Sequence, residues 1–314
     1  PNPDFYGNPN DYGAFIHDQC KMGPHFQEYL QELASVCDEY DDKQMVFEFY
    51  PDDKLGDIYH QYSQILTAHP KASAFFMEYR DNEWHAKNIE KKIENYLQSA
   101  NSTTPFFCIG NHDQPRVASR LGEERARAIS FLNLLTPGIS VVYYGDEIGM
   151  TNGELTADDI QDNFSPANSV VDSRDLERTP MQWNGSRFAG FSSAKPWLPV
   201  NENRTKINVD SEKIANDSLL NMHRKLLKLR QTLPILKNGN LSIAQNTGNG
   251  FILGLKRELT GQRAYIFVNF ADEKQSFSIP ENAKIITSTH SVDLITAKNL
   301  QMTIPGYCGV LLIV

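Results

Sequence analysis

Four short apolar runs constrain the fold of this chain more than any other feature. They are Met45-Val46-Phe47, Ala74-Phe75-Phe76-Met77, Pro105-Phe106-Phe107-Cys108-Ile109 and Ile139-Ser140-Val141-Val142-Tyr143-Tyr144. Between them the spacing turns helical. Phe26, Leu30, Leu33 and Val36 share one face over 24–40, Trp84, Ile89, Ile93 and Leu97 share another over 84–99, and a third helix is expected over 123–135. Near-continuous apolar strands separated by helices predict a parallel sheet buried on both faces, in a β/α fold. Three runs end in polar or acidic residues: Glu48, Asn111-His112-Asp113 and Asp146-Glu147. In β/α barrels the chemistry sits at such C-terminal strand tips.

The rest of the chain reads differently. Residues 1–22 are dense in Pro, Gly, Asn and Asp, resemble the middle of a loop, and suggest a piece of something larger. Residues 151–210 show little periodicity and form a long irregular loop. A helix is expected over 217–232, stopped by Pro234. From 238 onward, runs at 251–255, 264–268 and 309–314 alternate with Asn-Gly, Thr-Gly and Pro-Gly turns. This divides the chain into a β/α part over 1–237 and an antiparallel β domain over 238–314.

Composition excludes some classes. No apolar run approaches 18 residues, so no membrane span or membrane partner is expected. The net charge of -9 argues against a nucleic-acid binder, which needs basic surface. Cys20, Cys37, Cys108 and Cys308 form no CxxC pair, and buried free thiols are the expectation. Six N-x-S/T sequons, at Asn101, Asn163, Asn184, Asn203, Asn216 and Asn240, are read as chance in an Asn-rich chain.

Each polar tip admits two readings. Glu48, flanked by Phe47, Phe49 and Tyr50, is either a poorly solvated carboxyl that holds a proton or an ordinary strand-end residue. Asn111-His112-Asp113 either presents a donor and an anion to a polar substrate or forms an Asx-stabilised turn. Asp146 and Glu147 read more simply as salt-bridged or loop-capping groups. Arg178, beside Glu177 and before Trp183, is a substrate-facing cation or a surface partner of Glu177. Two acids on separate strand tips suit glycosidic bond hydrolysis, which needs a proton donor and anionic stabilisation of an oxocarbenium-like transition state.

The motifs carry a resemblance. IGNHDQPRVASRLG over 109–122 and VVYYGDEIGM over 141–150 resemble signature regions of the α-amylase superfamily of glycoside hydrolases. RTPMQW over 178–183, AGF over 189–191 and PWLPV over 196–200 resemble its oligo-1,6-glucosidase and α-glucosidase branch. QMVFEFYPD over 44–52 is similar to the family's acid/base strand, although Phe47 stands where a Gly usually precedes the Glu. The resemblance implies Glu48 as acid/base and Asp113 as the carboxylate that grips the sugar hydroxyls and stabilises the transition state. It implies His112 on the glucose ring, Arg178 closing the subsite, and Arg116 and Tyr144 as nearby support.

The family's nucleophile is an Asp in a pattern like G-F-R-x-D, which is not found in these 314 residues. The resemblance therefore implies the C-terminal half of a (β/α)8 TIM barrel, strands five to eight, followed by an all-β antiparallel sandwich. Such a chain has no turnover by itself and needs its missing N-terminal half or a second copy as partner, with α-glucoside oligosaccharides as substrate. No metal or cofactor is expected, and a cytoplasmic location is the default. A non-catalytic glucosidase-like scaffold and a sucrose- or trehalose-rearranging relative are the competing readings.

Overall fold

The computed structural model describes residues 18, 21–80, 84–100, 104–162, 169–244 and 250–314. The turn-rich opening, Cys20 and the sequons at Asn101 and Asn163 lie outside the described residues. The chain divides into two compact units. One falls within 1–77 and 91–107, the other within 78–90 and 108–314.

In the first unit, α1 (Phe26–Ser35) precedes β1 (Met45–Phe47), α2 (Ile58–Leu66) and β2 (Ala72–Phe76). Next come α3 (Ala86–Ala100), which begins in the second unit, and β3 (Phe106–Cys108), which ends in it. β1 pairs with β2 in parallel, Met45 opposite Ala72, and β2 pairs with β3 in parallel, Phe75 opposite Phe106. Helix α2 is not evident from the polar residues that interrupt it, yet Asp57 accepts from His60 N and starts it. Its Tyr62, Ile65 and Leu66 then fall on the buried side. Tyr62, Phe76, Tyr96 and Phe107 form the centre of this unit, with ring centroids 4.6 Å apart for Phe76–Tyr96 and 5.3 Å for Tyr62–Tyr96. Their hydroxyls stay satisfied. Tyr96 donates to Ala74 O at 2.7 Å, and Tyr62 accepts from Met77 N at 3.2 Å.

Burial on both faces holds for β3 and for most of β2, but not for β1, whose three residues are only half-buried. β1 is the outer strand of the three, so among the described residues one side of it has no strand neighbour. β4 (Ile139–Val141) also departs from the expectation, since Ile139 is 44% exposed.

The second unit carries α4 (Val117–Leu121), α5 (Glu123–Leu135), β4, α6 (Val209–Ile214), α7 (Leu219–Thr232) and α8 (Pro234–Asn238). Helix α5 starts with Glu123 and Glu124, which suit the positive end of the helix dipole, and then runs buried from Ala128 to Leu135. Arg230 of α7 donates to Leu134 O, Thr136 O and Ser140 Oγ at 2.7–3.0 Å and also to Gly138 O, so it ties down the turn between α5 and β4. Pro234 does more than stop α7. It occupies the first turn of α8, where its missing N–H costs nothing.

The β part has more strands than the sequence shows. β5 (Asn240–Ile243), β6 (Ile252–Leu259), β7 (Gln262–Asn269), β12 (Gly309–Ile313) and β9 (Lys284–Ser288) form one antiparallel sheet in the order β5-β6-β7-β12-β9. β10 (Thr296–Lys298), β11 (Gln301–Ile304) and β8 (Gln275–Ser278) form a second. Phe267, Val310 and Leu312 of the first sheet share a core with Phe277, Met302 and Ile304 of the second. Cys37, Cys108 and Cys308 are buried free thiols.

Candidate active site

The tip of β3 builds the centre of the candidate site. After Gly110, the Asn111 side chain accepts from Asp113 N at 3.0 Å, an Asx turn that fixes the loop. Asp113 Oδ1 then accepts from Arg174 Nη1 at 3.0 Å and from Arg178 Nη2 at 2.9 Å. His112 Nε2 stands 3.6 Å from the same oxygen. Arg178 Nε donates to His112 O at 2.9 Å. Among the described residues, both arginine hydrogen bonds to Asp113 fall on Oδ1 and none on Oδ2. Of the two readings for this loop, the Asx-stabilised turn is present in the structure.

Arg174 escaped the sequence reading, and so did Asp162. Arg174 Nε and Nη2 donate to the two oxygens of Asp162, both at 2.8 Å, and its backbone N donates to Oδ2 at 3.2 Å. The Asp162 hydrogen bond, together with that of Asp113, holds the Arg174 guanidinium well above its ordinary range. The Asp162 side chain is almost fully enclosed. Asp175 Oδ2 accepts from Gln161 N at 2.6 Å and Asp162 N at 2.8 Å, so a second carboxylate fixes the backbone that presents Asp162. The available signal was the four-residue spacing of Arg174 and Arg178 in SRDLER.

Behind the loop, Arg116 is fully buried. Its Nη1 donates to Tyr144 O at 2.6 Å, and its guanidinium lies 5.0 Å and 4.7 Å from the ring centroids of Tyr143 and Tyr144. Tyr144 OH donates to Thr179 O at 2.7 Å. Arg116 and Tyr144 therefore support the Arg178 segment through the backbone. Burial pushes Asp146 up to about 7 against the opposing pull of Arg116, and neither of its oxygens has a hydrogen-bond partner among the described residues. Burial likewise pushes Glu177 up to about 7. Glu147 caps the loop, accepting from Gly145 N at 2.7 Å. The surface pairing of Arg178 with Glu177 gives way to the Asp113 pair.

Glu48 departs from the expected environment. It is exposed rather than enclosed by rings, and Tyr50 OH donates to its Oε1 at 3.1 Å. Alternation along the extended chain explains this. Phe49 turns into the core against Tyr62 and Phe26, so its neighbour Glu48 turns away from it. Among the described residues, no cluster of three or more His, Cys, Asp or Glu side chains is placed to hold a metal ion, and no helix is long and apolar enough to cross a membrane.

The family of the alpha amylase catalytic domain matches residues 5–239. This chain belongs to the alpha-amylase family. Among curated relatives of this family, it is 35% identical over 260 residues to the alpha-glucosidase of Apis mellifera, covering 80% of this chain and 45% of that protein. It is 31% identical over 237 residues to the protein named Probable oligo-1,6-glucosidase 2 of Bacillus subtilis strain 168, covering 66% and 42%. The crystal structure of the trehalulose synthase MutB from Pseudomonas mesoacidophila MX-45 superposes with a TM-score of 0.78 at 26% identity, covering 93% of this chain and 59% of that one. The chain thus spans about half the length of the relatives it matches.

Proposed function

We propose that this chain is part of a retaining α-glucosidase-type glycoside hydrolase that cleaves α-glucosidic bonds of oligosaccharides. The observation that carries this reading is the engagement of one oxygen of Asp113 by both Arg174 and Arg178, with the other oxygen left to a substrate. The remaining oxygen of a carboxylate held in this way can accept from sugar hydroxyls, and its charge suits stabilisation of an oxocarbenium-like transition state. His112 would add a donor to the sugar ring, and Arg178 would close the subsite.

In the first step Glu48 would give its proton to the glycosidic oxygen as the C1–O bond breaks, while a carboxylate nucleophile bonds to C1. In the second, Glu48 would take a proton from water as that water displaces the enzyme carboxylate. No G-F-R-x-D pattern occurs in the sequence, so we assign the nucleophile to a complementary half and infer no turnover for the chain alone. On this reading β1 to β4 are strands five to eight of a (β/α)8 barrel, residues 238–314 are the C-terminal sandwich, and the partner is the N-terminal half or a second copy. An acid/base needs a desolvated carboxyl. Glu48 is exposed, so the reading requires the partner to cover it. That same exposure favours the second reading, a non-catalytic glucosidase-like scaffold.

Release of p-nitrophenol from an α-glucoside, with and without the complementary half, tests both. Activity that appears on complementation and disappears with Glu48→Gln is expected. Complementation that survives Glu48→Gln removes Glu48 from the mechanism. A well-folded complex with no activity leaves the scaffold.

A further inference from the structure

The two sheets of the β domain are unequal, five strands against three. At the margin of the smaller sheet, the inner face of β5, β6 and β7 meets the end of β8 in a recess of about 490 Å³. Small-molecule sites span about 300–1,000 Å³, so the recess has the size of one. The pairing register arranges its floor in two rows. Ser242 lies opposite Lys256 and Lys256 opposite Tyr265, so three polar heads stand side by side across three strands. In the next row Ala244 N donates to Gly254 O, and Gly254 lies opposite Phe267. Two small residues there leave room beside a ring. The rings of Tyr265 and Phe267 are nearly parallel, 7° apart in plane with centroids 6.0 Å apart. Phe267 packs on Phe277 at 4.5 Å, which anchors the aromatic pair in the core. Ser278, Ile279 and Pro280 form the opposite wall.

The charges at this recess are paired. Lys256 Nζ lies 2.9 Å from Glu258 Oε2, which leaves two of its three N–H groups for a ligand. An anionic ligand would meet the Glu258 carboxylate together with the ammonium, so the pair does not favour one. A purely apolar ligand would cover Ser242, Lys256 and the Tyr265 hydroxyl without hydrogen-bonding them, which is unfavourable. A neutral sugar ring answers both rows. Its C–H face can lie on the aromatic and small residues, while its hydroxyls reach the ammonium and the hydroxyls of Ser242 and Tyr265. Ser278 Oγ accepts from Gln301 Nε2 at 2.8 Å, so its O–H remains to donate. The floor and wall residues lie beyond residue 239, where the match to the catalytic domain ends, and Asp113, His112, Arg174 and Arg178 are not among them. We propose that this recess is a non-catalytic sugar site of the β domain. It holds a pyranose unit of an α-glucose oligosaccharide, and no bond is made or broken there. The preference for a neutral sugar follows from the recess itself, whereas the choice of α-glucose oligomers rests on the glycoside reading above.

Maltotriose and octanoate, each titrated into the purified Asp113→Asn chain and followed by saturation-transfer NMR, test the site with the Asp113 loop disabled. Maltotriose is expected to bind. Tyr265→Ala weakens it about tenfold. Ser242→Phe, which fills the recess from an exposed position of β5, removes the signal while circular dichroism shows the fold retained. No binding of maltotriose, binding that survives Ser242→Phe, or octanoate that displaces maltotriose and itself depends on Ser242 overturns the sugar site. The glycoside reading is tested separately by the complemented enzyme with Asp113 intact. There Ser242→Phe is expected to leave release of p-nitrophenol from an α-glucoside unchanged. Hydrolysis without maltotriose binding in the recess overturns this site alone. Maltotriose held in the recess of a well-folded complex that hydrolyses nothing sinks the glycoside reading and leaves the sugar site standing.

Discussion

Arg178 Nη2 lies 2.9 Å from Asp113 Oδ1, and Arg178 Nε donates to the backbone carbonyl of His112. One guanidinium thus grips two successive residues of the loop after β3, and it joins the NHDQP stretch to the RTPMQW stretch. A lysine carries the charge but not the fork. Arg178→Lys should therefore keep the fold and lose the orientation of Asp113. The expected outcome is a loss of about 10- to 100-fold in kcat/KM of the complemented enzyme, from the charged hydrogen bond removed. Thermal melting should shift little. Steady-state kinetics paired with calorimetry checks this, and an unchanged kcat/KM contradicts the role given to Arg178.

Asp162 acts one step further back. It takes both inner nitrogens of Arg174 and so aims Nη1 at Asp113. Its side chain is enclosed, whereas Arg174 is partly exposed, so water offsets part of the loss when the pair is broken. Asp162→Ala should cost about 1–3 kcal/mol of stability, below the range for fully buried pairs. Asp162→Asn, which keeps one acceptor, should cost less. Urea unfolding of both variants measures the difference, and equal losses would show that the acceptor kept by asparagine does nothing for Arg174 once the charge is gone.

Much of this was legible in the sequence, and the reason is local. α7 could be placed because its apolar periodicity is long, and Asp113 and Arg178 could be singled out because strongly patterned motifs surround them. Glu48 could not be read correctly from its aromatic neighbours. Adjacency in sequence says little about enclosure when alternate residues of an extended chain point opposite ways. Arg174, Asp162 and Asp175 were missed because their meaning lies in contacts 12 to 61 residues away within an aperiodic loop. The strands β8 to β11 have three to five residues each, too short for a period-two pattern to stand out.

The buried acids predict a pH dependence whose sign can be worked out. Asp146 and Glu177 titrate near 7 in the folded chain, raised above ordinary unfolded values of about 4. Between about pH 4 and 7 the folded state therefore binds more protons than the unfolded one, so each group makes stability fall as pH rises through that window. Buried His223 works in the opposite sense. Its value is lowered to about 4 by burial, so its contribution rises with pH between about 4 and 6.5. Asp146→Asn should flatten the downward slope between pH 5 and 7 by up to about 1.4 kcal/mol per pH unit. Chemical unfolding across that range reads it directly, and an unchanged slope would mean that Asp146 does not hold its proton in the fold.

Gly145 offers a test of how tightly the ground under Tyr144 is packed. Its φ is +89°, and a Cβ placed there would lie 2.5 Å from Met150 Sδ and 2.7 Å from Arg116 Nη1. Arg116 Nη1 is the atom that holds Tyr144 O, so a methyl group at 145 pushes on the bond that supports the Tyr144–Thr179 contact. Gly261, between β6 and β7, has a similar φ of +85°, but a Cβ placed there would meet nothing within 4 Å. Gly261→Ala should cost only the backbone strain, about 1 kcal/mol. Gly145→Ala adds the steric clash and should cost about 2–4 kcal/mol. Because the two glycines share a left-handed φ, the difference between the variants isolates packing from strain. Equal losses in urea unfolding would mean that the Arg116 side chain yields freely, and would remove it from the support of Tyr144.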